Sequence, residues 1–188
     1  MNNEKKNYSE ITTQQLKNEL KRVKNKSVYF KTLRSTILIL VFVASVAVLL
    51  SAEFFPVMRV VGTSMEPTLE NGQIAVAVKT TNFEQGDVVA FYYNSKILIK
   101  RVIALSGDYV DIDTEGNVYV NDRMLNETYI TVKSAGDGDI TFPYQVPDNR
   151  IFVMGDNRST SIDSRSSDIG CISEEFIVGK IIIWFMLN

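Results

Sequence analysis

From Ser35 to Ala52 the chain runs eighteen residues without a charge, a proline or a glycine. Its aliphatic positions fall all round a helix, so it lacks the polar face of a helix lying on a protein surface. At 1.5 Å per residue the run is about 27 Å long, close to the ~30 Å hydrocarbon core of a bilayer. It predicts a transmembrane helix over 35–52. Beyond Glu53 the pattern changes to short runs rich in Val, Ile, Tyr and Phe, separated by Gly, Asn and Asp turns. These runs are Ile74–Val78, Val88–Tyr93, Ile97–Leu105, Tyr109–Ile112, Asn117–Val120, Ile151–Met154 and Ile177–Phe185. Several alternate with period two, and helical periodicity is weak, so residues 53–188 predict a mostly antiparallel β domain. The last apolar run, Ile181–Leu187, is too short to span a membrane and reads as a strand.

Charge gives the apolar run a direction. Residues 1–34 carry a net charge of +6 and residues 35–188 a net charge of −8. Lys17, Lys21, Arg22, Lys24, Lys26, Lys31 and Arg34 all precede the run, which places a basic segment, 1–34, in the cytoplasm and 53–188 outside. The same residues would attract anionic lipid head groups. A buried core helix and a cleaved secretory signal are the competing readings. A 34-residue n-region is long for a signal, and Ser45-Val46-Ala47 lies inside the apolar run rather than after it. An uncleaved anchor is therefore expected.

The composition excludes several chemistries. The 188 residues contain no His and one Cys, Cys171. Histidine-based triads and dyads, His-ligated metals and intramolecular disulfides are ruled out. Any general base must be Lys, Asp, Glu or Tyr. Asp111, Asp113, Glu115, Gly116 and Asp122 match part of a calcium-loop template, but strands on both sides make Thr114–Asn117 a turn. No metal site, cofactor or nucleic-acid partner is expected, and Cys171 reads as a small packed side chain.

Three segments depart from an ordinary β domain. In Val60-Val61-Gly62-Thr63-Ser64-Met65-Glu66-Pro67-Thr68-Leu69, a strand-like run turns at a serine whose own N–H can face a developing oxyanion. In Ile97–Leu105, Lys100 and Arg101 stand in an aliphatic run. If both faces are covered, Arg101 needs a carboxylate, whereas Lys100 can lose its proton and become a competent base. A solvated edge strand is the alternative. The third segment, Gly155–Arg165, holds two carboxylates, two guanidiniums and four hydroxyls among eleven residues. It suits a structured loop supplying partners to buried charge, as well as a plain polar loop.

Together these segments resemble the type I signal peptidases, the membrane-anchored Ser/Lys proteases of protein export (peptidase family S26). Ser64-Met65-x-Pro67-Thr68-Leu69 resembles the nucleophile box. Gly86-Asp87-Val88-Val89 is similar to the preceding strand. Lys100-Arg101-Val102-Ile103-Ala104-Leu105-x-Gly107-Asp108 resembles the general-base box, and Gly155-Asp156-Asn157-Arg158 through Ser161, Asp163, Ser164 and Arg165 the C-terminal box. A single N-terminal anchor resembles the Gram-positive branch.

The resemblance implies Ser64 as nucleophile and Lys100 as general base. Ser161 would hydrogen-bond and orient the lysine amine. Asp156 would pair with Arg101, and Asp163 with Arg165. Val60, Val61 and Met65 would line the substrate groove. The partners would be secreted preproteins, bound as an added strand and cleaved after Ala-x-Ala, and membrane lipid. Ser106 replaces the usual proline of the base box. Gly62 replaces a serine that in some relatives donates to the oxyanion, leaving the Ser64 N–H with Thr63 as a candidate helper. Residues 106–150 are short for the family's inserted subdomain, so a small β-hairpin unit is expected. A self-cleaving Ser/Lys repressor would carry a DNA-binding module where this chain has its apolar run. An inactive assembly chaperone would have lost the serine or the lysine, and both are present.

Overall fold

The computed structural model describes residues 13–136 and 138–186. Residues 1–12 of the basic segment, Asp137 and Leu187 of the final apolar run lie outside them. The chain divides into two compact units at Leu50/Ser51. One helix, α1 (Thr13–Phe54), contains the whole apolar run. Its 42 residues make it about 63 Å long. The polar stretch before the apolar run is therefore helical from Thr13 onward, a point the residue pattern leaves open. Among the described residues α1 is the one helix long and apolar enough to cross a membrane, and large apolar side chains such as Leu38, Leu40 and Val43 are exposed along it.

The second unit is built of antiparallel sheets. Its strands are β1 (Val57–Arg59), β2 (Ile74–Val78), β3 (Val88–Tyr93), β4 (Lys96–Ala104), β5 (Tyr109–Ile112), β6 (Val118–Val120), β7 (Arg123–Met124), β8 (Tyr144–Gln145), β9 (Arg150–Met154), β10 (Ile172–Ser173) and β11 (Ile177–Phe185). Seven form one sheet in the order β1-β2-β11-β3-β4-β9-β10, and four form a smaller one in the order β7-β6-β5-β8. The hairpin β5–β6 pairs Ile112 with Val118. Asp113 closes its turn by accepting the N–H groups of Glu115 and Asn117. These bonds, led by the Asn117 side chain, hold the Asp113 carboxyl below its ordinary pKa. β7, β8 and β10 are two residues each, too short to leave a periodic signature.

The centre of the large sheet is covered on both faces. On β3, Val88 and Ala90 enter one apolar cluster with Val60, Met65 and Leu69, while Val89 and Phe91 enter another with Val102, Ile151 and Val153. On β4, Leu98 and Val102 pack toward the second cluster and Ile99 toward the first. Burial on both sides is why these strands read as near-continuous apolar runs rather than as clean alternation. It also removes the solvated-edge alternative for the two cations of β4: Lys100 is 4% exposed and Arg101 8%. A third cluster, containing Ile103, Val110, Val118, Val146 and Phe152, joins the small sheet to the large one. Cys171 belongs to it and is buried. That burial pushes its thiol up to about 11, which leaves it protonated and unreactive at neutral pH.

Candidate active site

Ser64 lies on the turn that follows β1. Val60 anchors the start of that turn through its N–H to Gln73 O (2.8 Å), and Leu69 its end through its N–H to Met65 O (2.9 Å). Gly62 adopts φ +95°, a left-handed conformation that favours glycine. Its N–H donates to Asn71 Oδ1 (3.0 Å). The N–H of Ser64 carries no hydrogen bond among the described residues. Lys100 reaches this turn from the middle of β4, and its Nζ stands 2.7 Å from Ser64 Oγ. Burial, the largest influence, pushes the lysine amine from its ordinary value near 10.5 down to about 8. Arg165 acts in the same direction, and Asp163 and Asp156 oppose it.

A frame of buried ion pairs holds the two elements together. Arg101 donates from Nε to Asp156 Oδ1 (2.8 Å) and from Nη2 to Asp156 Oδ2 (2.6 Å). Its Nη1 donates to Gly86 O (2.7 Å). Thr68, on the Ser64 turn, donates to Asp156 Oδ2 (2.5 Å) and accepts from Arg101 Nη2 (3.2 Å). The next residue after Asp156 reaches Ser64 itself, since the Asn157 N–H donates to Ser64 O (3.1 Å). Arg165 donates through Nε and Nη2 to Asp163 (2.8 and 2.9 Å), and Asp163 Oδ2 accepts the Gly155 N–H (2.9 Å). Asp163 Oδ1 also accepts the Arg165 N–H (3.3 Å), so each carboxylate serves one guanidinium and at least one further donor, the satisfaction a buried charge requires.

Val60, Val61 and Met65 line a cleft of about 140 Å³ together with Met58, Ile99, Ser64 and Lys100. Val60 and Met65 are buried beneath it, whereas Val61 stands 84% exposed at its rim. One expected contact is absent. Ser161 Oγ is buried and has no hydrogen-bond partner, so it makes no bond to Lys100. The amine is engaged by Ser64, and the Ser161 N–H is tied back to Asn157 O (3.1 Å).

Gly155 explains how closely these parts approach. A Cβ there would collide with the Ser161 side chain and the Ser64 carbonyl oxygen. Gly155→Ala is therefore expected to displace the Ser64 peptide and, if Ser64 reacts, to lower turnover by about 10²-fold, the scale of a misplacement near 1 Å. Steady-state kinetics of that variant checks it, and wild-type kcat would contradict it.

Three contacts lie beyond what residue patterns indicate. Arg158, fully buried, pairs through both terminal nitrogens with Glu127, whose side chain is also buried. The Tyr129 ring stacks on Arg101 with Cζ 3.9 Å from its centroid. Thr68 bridges the Ser64 turn to Asp156. Glu127 and Tyr129 occupy a stretch with no sequence feature of its own. An unassigned guanidinium at Arg158 was the available signal that a carboxylate had to be near.

The family model for signal peptidase, peptidase S26, matches residues 33–186. A signal peptidase I from Bacillus licheniformis is 33% identical over 177 residues, 86% of this chain and 90% of that protein. The chain belongs to the signal peptidase I family. Signal peptidase I P of Bacillus subtilis subsp. natto is 36% identical over 141 residues, 68% of this chain and 75% of its own. A Staphylococcus aureus signal peptidase IB is 36% identical over 140 residues, covering 64% and 72% of the two chains. The crystal structure of a signal peptidase I from Enterococcus faecalis aligns with 54% of this chain and 97% of that one, at 26% identity and a TM-score of 0.43. As a signal peptidase the chain is a hydrolase. The antiparallel β unit and the single apolar helix of membrane-spanning length are the two parts that its sequence pattern predicts.

Proposed function

We propose that this chain is a membrane-anchored serine endopeptidase that removes signal peptides from secreted preproteins, with Ser64 as nucleophile and Lys100 as general base. The contact between Lys100 Nζ and Ser64 Oγ, made where burial holds the amine near pKa 8, supports this reading most directly. In the deprotonated enzyme the same contact reverses its donor, and Ser64 Oγ–H points at the amine lone pair. Lys100 takes that proton as Oγ attacks the scissile carbonyl carbon. The oxyanion forms against the Ser64 N–H. The lysine then protonates the departing amine, and water, activated by the same amine, hydrolyses the acyl-enzyme.

The substrate lies extended in the cleft between residues 58–62 and residues 97–99 of β4. A cleft of about 140 Å³ suits small side chains, in keeping with Ala-x-Ala-like sites. The basic residues ahead of the apolar run keep the N-terminus in the cytoplasm, so the β unit works on the outer face. Arg101 with Asp156, and Arg165 with Asp163, hold the turn and strand in register.

Two measurements test the assignment. Ser64→Ala is expected to abolish processing of a preprotein, and retained processing would overturn it. In the wild type, kcat/KM is expected to rise with pH through about 8, because the deprotonated lysine is the active form. At pH 6, about 1% of the amine is neutral, so the rate there falls about 10²-fold below its alkaline plateau. A flat profile between pH 6 and 9 would remove the titrating base.

A further inference from the structure

Between β7 and β8 the described residues form neither helix nor strand, yet two of them reach the frame behind the cleft. We infer that Tyr129 and Glu127 are positioning residues for the peptidase reaction, acting on Ser64 and Lys100 through Arg101 and Arg158. The inference rests on the Ser64/Lys100 reading above.

Arg101 is the neighbour of Lys100 in β4, and its guanidinium gives four hydrogen bonds in its own plane, two to Asp156 and one each to Thr68 and Gly86. Its two faces offer no donors, and Tyr129 covers one at 3.9 Å. The ring excludes water from the Arg101–Asp156 pair, and in a drier site charge–charge contacts are stiffer. Tyr129 is itself held: its hydroxyl donates to Glu127 Oε1 (2.8 Å). Glu127 in turn receives both terminal nitrogens of Arg158. Arg158 closes the ring on the catalytic loop, because its Nε donates to Gly155 O (3.1 Å) and its own carbonyl accepts Arg165 Nη2 (2.8 Å). Gly155 and Asn157 are the residues pressed against Ser64.

The two routes therefore converge on the reacting pair. Through Arg101, Tyr129 acts on Asp156 and Thr68, which set the nucleophile turn against β4. Independently of the Tyr129 hydroxyl, Glu127 holds Arg158, which sets the Gly155 peptide and its loop against the same serine. Neither Tyr129 nor Glu127 lines the cleft, so a loss at Tyr129 is expected to leave substrate binding alone and to slow chemistry.

The test compares Tyr129→Phe and Tyr129→Leu with wild type in the full chain, in detergent micelles. The substrate is an internally quenched signal-peptide fragment, and each variant is assayed well below its own Tm and corrected for its folded fraction. Tyr129→Leu loses the aromatic face and is expected to lower kcat about tenfold with KM within twofold of wild type. Tyr129→Phe keeps the stack, loses only the Glu127 bond, and is expected to retain more than half of the wild-type kcat. Wild-type kcat in Tyr129→Leu would overturn the proposal, as would equal damage in the two variants or a change confined to KM. A wild-type chain that cleaves nothing would instead strike the underlying peptidase assignment, and is told apart by that silence.

Discussion

Lys100→Met is expected to cut preprotein processing by about 10²–10⁴-fold and at the same time to stabilise the β unit below pH 8. The first effect follows from removing the base proposed to take the Ser64 proton, at the scale general-base catalysis contributes. The second follows from where that base sits. Folded, the amine titrates near 8; unfolded, near 10.5. Between those values the unfolded chain holds a proton that the folded one lacks, so stability rises with pH across that window. Below 8 both forms are protonated, and the folded state bears the whole cost of a charged, buried amine. The separation corresponds to about 3 kcal/mol. Methionine has a similar length and no charge. Its advantage should be largest near pH 6 and fade toward pH 10.5. Thermal unfolding of both proteins at a series of pH values checks it. A variant no more stable than wild type at pH 6 would mean that the amine is not buried at that cost, and undiminished processing would remove the catalytic role.

Glu127→Ala is expected to cost about 3–5 kcal/mol, the scale of breaking a buried ion pair from one side. The Arg158 side chain is 0% exposed and that of Glu127 2%. Arginine cannot escape by releasing its proton. With Glu127 gone it keeps one acceptor, Gly155 O. In a unit of this size that loss lowers Tm by roughly 10–20 °C. The double variant Glu127→Leu with Arg158→Met removes both charges and should recover most of it, because a dry apolar pair replaces a charge with no partner. A Tm for Glu127→Ala within about 3 °C of wild type would show that water reaches Arg158 in the folded state.

The parts of the site that could be read in the sequence were those whose chemistry is local. A serine on a Gly/Pro-bounded turn, two cations in an apolar run and a loop crowded with charge each break a periodic rule over a few residues. The strands were readable for the same reason, except those too short to show a period. Lys100 was conditional on burial of both faces of β4, and only the packing of β3, β4 and β9 supplies that. Glu127 and Tyr129 were not readable because nothing in their own neighbourhood is unusual. Their partners lie 28 to 31 residues away, and long-range pairing of a lone acid with a lone base has no local signature. The Ser161 contact to Lys100 came from the family resemblance alone, and no residue pattern bears on it; the Ser161 hydroxyl has no hydrogen-bond partner.

The short connection from α1 to β1 sets a length scale for the substrate. Ser64 stands ten residues beyond Phe54, the last residue of α1. Even fully extended, that stretch reaches on the order of 35 Å. With α1 embedded as proposed, the nucleophile is on a short leash, and no hinge elsewhere in the molecule can lengthen it. A scissile bond has to be delivered into that shell, so the spacer between a preprotein's own apolar segment and its cleavage site becomes a ruler. A spacer too short or too stiff to bring the bond within that shell leaves it uncut even when the residues around it are ideal.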